Sequence, residues 1–138
     1  FRDNTNGITP LLVAKPSDAT RDGPYVHPKG PYPHIQANKG RDEIMMWAVE
    51  RPDGGRGFGF TGGHFQWNWG EPNCRRLILN AIVWVAKGEV PEKGVVDPPV
   101  TLKVLEENID EPQPANFNRE QILKEFKIDG EGNRDKPA

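Results

Sequence analysis

The chain has 138 residues, of which 35% are hydrophobic and 28% charged, with 14 prolines and 15 glycines. This is enough for one compact unit, but the proline and glycine content leaves much of the chain irregular, so a compact part followed by a long tail is expected. The net charge of −2 comes from interspersed acidic and basic residues, without the clustered positive footprint that a nucleic-acid partner requires.

The segment Phe1 to Ile8 has neither an apolar run nor a basic leader, so no signal peptide is read there, and the chain reads as a fragment of something longer. No apolar stretch reaches the length of a membrane-spanning helix. Ile8 to Ala14 (ITPLLVA) is of strand length, and Lys15 to Asp22 reads as a polar loop. From Gly23 to Ile35 four prolines favour extended backbone and exclude a regular helix, so a surface loop is expected.

Ile44 to Glu50 (IMMWAVE) is apolar at alternate positions of both kinds, as in a strand covered on both faces. The turn residues Pro52-Asp53-Gly54-Gly55 then lead to a second extended run, Arg56 to Thr61, so an antiparallel hairpin is predicted. Gly57 and Gly59 imply close approach by a neighbouring backbone. After Gly62-Gly63-His64 and an aromatic loop, the clearest helix runs over about Asn73 to Lys87, opened by Pro72 and closed by Gly88. Leu77, Ile78, Ala81, Ile82 and Val85 form its broad apolar face. Arg76, Asn80, Trp84 and Lys87 share the opposite stripe, so something is expected to cover Trp84. Beyond Glu89 proline and charge dominate, with one amphipathic segment, Arg119 to Phe126. This tail is expected to wrap its own domain or a partner, with Trp84 as its docking point.

The run GRGFGFTGGHFQWNWGEPNCRRLILNAIVWVAKGEVP resembles the closing strand, Gly-His turn and last helix of ThuA-like (trehalose-utilisation) domains, a branch of the class I glutamine amidotransferase-like fold. The segments ITPLL and GPYVHPKGPYPHI also look like secreted bacterial ThuA-like proteins, so the resemblance covers about Gly7 to Gly94. It implies an α/β, flavodoxin-like three-layer sandwich with a mostly parallel sheet. Residues 1–94 would be the carboxy-terminal part of such a domain and 95–138 an extended tail with a short helix. It further implies an extracytoplasmic protein in disaccharide or keto-sugar metabolism, completed by a missing amino-terminal half or by another chain. The amidotransferase nucleophile elbow belongs to that missing half, so glutamine hydrolysis is not carried over.

His64 directly follows a predicted strand, at the edge where open α/β sheets gather ligands, and its imidazole can serve as acid or base. It is the candidate catalytic residue; the plainer reading is a histidine that holds its own turn. Phe65, Trp67 and Trp69 alternate with Gln66 and Asn68, offering rings for the CH faces of a sugar and amides for its hydroxyls. The plainer reading makes these aromatics a seal between helix and sheet. Arg56 could steady an anionic or enolate oxygen there. His27 and His34 complete the histidines of the chain and are further substrate-binding candidates. Three imidazoles can bind zinc, but none has a partner at helical ligand spacing, so no metal site is assigned and no cofactor is identified. Cys74 near a helix start could be activated by the helix dipole, although that helix is largely core. Ser17, the only serine, lacks a nucleophile context, and Asp53 to Gly57 joins two strands rather than cradling phosphate. Two readings remain, a carbohydrate-related enzyme domain and a non-catalytic module that binds sugar or protein; convergence of titratable groups on His64 would separate them.

Overall fold

The structure is a computed structural model and describes residues 7–25, 29–107, 109–126 and 128. The chain divides into two compact units, Phe1–Thr61 and Gly62–Ala138.

The first unit is built on a three-stranded sheet in the order β1 (Ile8–Ala14), β2 (Glu43–Glu50), β3 (Arg56–Phe60). Both pairings are antiparallel. This overturns the expected flavodoxin-like sandwich with its mostly parallel sheet: among the described residues the only sheet is small and antiparallel, accompanied by five α-helices. The reason is local. Arg51–Gly55 is far too short for the crossover that a parallel pair needs, so β2 must return as a hairpin. Its turn closes through Gly54 N–H to Arg51 O (2.8 Å), with Pro52 inside and Gly54 at φ 78°, a conformation that glycine adopts without a Cβ penalty. Asp53 Oδ1 accepts from Gly55 N–H at 2.8 Å and locks the loop.

The β2–β3 register sets Trp47 opposite Gly59. A Cβ on Gly59 would lie 2.1 Å from the Trp47 ring, so the close approach anticipated at Gly59 is that of an indole, while Gly57 faces open space. Met46 and Ala48 on β2 are buried. β1 is an edge strand with register shifts around Leu11, and Pro10, which lacks an N–H, is tolerated there. Leu11, Leu12 and Val13 are exposed.

Two stretches read as loops contain short helices. Ser17 caps α1 (Asp18–Asp22), its hydroxyl accepting from Thr20 N–H, and Gly23 at φ 79° ends it. Pro33 opens α2 (Pro33–Gln36), because proline in a first turn sacrifices no hydrogen bond. Arg21 on α1 is buried, and donates to Glu43 Oε1 at 2.9 Å and to Arg41 O at 2.8 Å.

In the second unit two 3₁₀ turns, Gly62–His64 and Gln66–Gly70, lead into α3 (Pro72–Val85). Glu71 caps α3 by accepting from Cys74 N–H at 2.6 Å. Ala81 is its buried residue, whereas Ile82, expected on the apolar face, is 52% exposed. The opposite stripe is covered where the chain returns: Val95 N–H donates to Asn80 Oδ1 at 2.8 Å, and Gly94 lies against Arg76 and Asn80. Trp84 is half-buried. Trp67 and Trp69 are a docking ground for the later tail. There α4 (Leu102–Glu106) and α5 (Arg119–Glu125) bring Leu102, Leu105, Ile122 and Leu123, with Phe126 and Ile128, into one apolar cluster. Among the described residues no helix is long and apolar enough to cross a membrane.

Candidate functional site

The second 3₁₀ turn sorts its side chains by threes. With three residues per turn, positions i and i+3 eclipse, so Gln66 and Trp69 share one face, Trp67 and Gly70 a second, and Asn68 and Glu71 a third. Each face meets different surroundings. Trp67 packs on the apolar cluster and stacks on Phe117, ring centroids 5.3 Å apart, and Gly70 is buried where a Cβ would strike Ile128. Asn68 and Glu71 line a cleft of about 440 Å³ with Cys74, Glu125 and Phe126. Gln66 and Trp69 line another, of about 460 Å³, with Gly63, His64, Val104 and Leu105. The two-residue alternation expected for this loop is therefore replaced by a three-residue one: Trp67 and Trp69 both pack against the apolar cluster, and Trp69 also lines the cleft.

His64 ends the first 3₁₀ turn and is exposed at the mouth of the larger cleft, its ring edge-on to Phe65 at 5.2 Å. Phe65 is 55% exposed. Gln66 spends its Nε2 donor on Leu105 O, which fixes the amide and leaves Oε1 as an acceptor. Trp69 is half-buried, and its carbonyl accepts from Arg75 Nη1 at 2.7 Å. Arg75 is also paired through Nε with Asp97, so an ion pair shielded from solvent anchors the floor of the turn. Asn68 is turned elsewhere: its Nδ2 donates to Gly62 O at 2.7 Å, bracing the two 3₁₀ turns against each other.

The remaining candidates lie in the first unit. Arg56 opens β3, where its Nε donates to its cross-strand partner Glu50 at 3.2 Å. His34 lies on α2, its ring tilted against Tyr32 at 5.6 Å. His27 falls outside the described residues. Among the described residues no three histidine, cysteine or acidic side chains stand together as a metal site.

Cys74 is not activated by its helix. Burial pushes its thiol pKa up and the Glu71 carboxylate adds to the shift, against a smaller opposing effect of Arg75. Burial, aided by the capping glutamate, thus outweighs what the dipole alone would do. The two lining residues that sequence reasoning missed, Val104 and Leu105, come from a short helix marked in the sequence only by Thr101, whose hydroxyl caps it by accepting from Val104 N–H.

Comparison with known proteins adds no relative: no family model, no curated protein and no solved structure matches this chain.

Proposed function

We propose that the chain binds a carbohydrate in the His64 cleft, within a protein of ThuA-like kinship that handles a disaccharide or keto-sugar. The supporting observation is the composition of the lining: an indole, an imidazole and an oriented amide above an apolar wall of Val104 and Leu105. A ring such as Trp69 suits the CH face of a pyranose, while His64 and Gln66 Oε1 suit its hydroxyls. Binding is favoured over catalysis because, among the described residues, His64 is the one titratable group in that lining. Acid–base chemistry needs a second titratable group to relay the proton. If the working protein is an enzyme, that partner comes from another segment or chain.

The test is a titration with trehalose and with glucose, following the indole N–H signals of the four tryptophans by NMR. The Trp69 signal is expected to shift on addition of sugar, with Trp47 and Trp84 unmoved, and Trp69→Ala is expected to abolish binding. A Trp69 signal that stays still up to saturating sugar removes the proposal.

A further inference from the structure

We propose that α4 and α5 form a strap whose docking builds one wall of the His64 cleft, so that occupancy of the cleft and closure of the strap are coupled. The ligand side of this inference rests on the carbohydrate reading; the docking side does not.

The wall is supplied from a distance in sequence. Gly63, His64, Gln66 and Trp69 form one side, and Val104 and Leu105 of α4 the other. A helix as short as α4 has no stability of its own in water, so its order comes from tertiary contact. Those contacts are few and specific. Leu102 and Leu105 bury themselves with Ile128 beside Trp67 and Trp69, Phe117 stacks on Trp67, and Gln66 Nε2 holds Leu105 O. The Arg119–Glu106 pair at 2.7 Å ties α5 to α4. Between the two helices Pro112 and Pro114 interrupt regular structure, so the strap is fastened at its helices. Gln66 has two tasks at once: one amide group both fastens the strap and lines the cleft. A hydroxyl donating to Gln66 Oε1 leaves that fastening intact, and packing against exposed Val104 is possible only when α4 is down. A ligand that prefers the closed state must, by linkage, favour closure.

The experiment uses the full chain, with hydrogen exchange followed separately in α3, α4 and α5, and with trehalose as the probe. Phe117→Ala removes the stack on Trp67 without touching the cleft lining. Exchange in α4 is expected to rise about five- to tenfold with α3 unchanged. Trehalose should slow α4 exchange in the unaltered protein and in the variant, and its affinity for the variant should fall only as the closed fraction falls. Unchanged α4 exchange in the variant, or α4 exchange that saturating trehalose does not slow, overturns the strap. If α3 also exchanges faster, Gln66→Glu, which keeps the shape but loses the donor to Leu105 O, decides by the same criteria. Should trehalose fail to bind the unaltered protein, the carbohydrate reading falls and the strap is judged by exchange alone. Faster exchange in α4 and α5 of Phe117→Ala with α3 unchanged supports it, and unchanged exchange in α4 overturns it.

Discussion

A Cβ built on Gly63 would meet Trp69 Cζ2 at 3.4 Å, an ordinary van der Waals contact. Gly63→Ala should therefore fold normally yet place a methyl over the edge of the ring proposed to hold sugar. Thermal unfolding within about 0.5 kcal/mol of the parent is expected, as for a substitution outside the core, together with weaker trehalose binding by NMR. Glu43 offers a second test. Hydrogen bonds from Arg41 first, and then from Arg21, hold its carboxyl below the ordinary value of 4.5 against the opposing effect of burial. A folded pKa below the unfolded one gives stability that is complete above 4.5 and is lost as pH falls through the lower folded value. Urea unfolding should thus find Glu43→Gln less stable than the parent near neutral pH, with the gap closing in acid; a gap independent of pH would assign the effect to packing. Glu43 was not marked in the sequence. Gly63 was legible as part of a Gly-His turn, but the ring it faces depends on the three-residue period of the following turn, and Arg21 was hidden in a stretch that read as a loop.

At the scale of elements, the long signals were legible and the short ones were not. β1, β2, β3 and α3 lie where apolar alternation, turn residues, Pro72 and Gly88 place them, because each carries enough residues for its period to show. α1, α2 and α4 hold few residues and derive their order from caps and packing, which hydrophobic periodicity does not record. The segment Gln66–Gly70 is the instructive case. Its aromatic–polar alternation has the period of a strand, but a 3₁₀ turn sends Trp67 with Gly70 inward and Gln66 with Trp69 to the cleft. That division is testable at Gly70, where a Cβ would stand 2.2 Å from Ile128 Cδ1 and 3.2 Å from Leu105 Cδ1. Gly70→Ala should cost about 1–3 kcal/mol by overpacking, read as a lowered urea midpoint. Loss of that size would show that α4 and Ile128 press on the turn; a neutral substitution would mean that they do not.

For the whole molecule, the resemblance carried by residues 7–94 led to a parallel sandwich, whereas the three strands pair antiparallel. Motif likeness reports residues at a turn and says little about how strands are ordered, since strand order depends on which segments are present to pair. The cleft, by contrast, uses residues of the second unit alone. Its lining, its apolar cluster and the Arg75–Asp97 pair all lie within Gly62–Ala138. A piece of that size, whose cluster has Leu102, Leu105 and Ile128 as its buried members among the described residues, has little hydrophobic reserve, about 3–5 kcal/mol at best. Removing one partner of the shielded ion pair is then costly, because it leaves a charge without compensation at a cost of about 3 kcal/mol or more. Asp97→Ala in the full chain is accordingly expected to lose protection from exchange in α3 and in the strap together, while the β2–β3 hairpin keeps its own. Loss confined to residues around Asp97 would instead show that the floor of the turn is held by its apolar contacts, and that the pair with Arg75 merely decorates it.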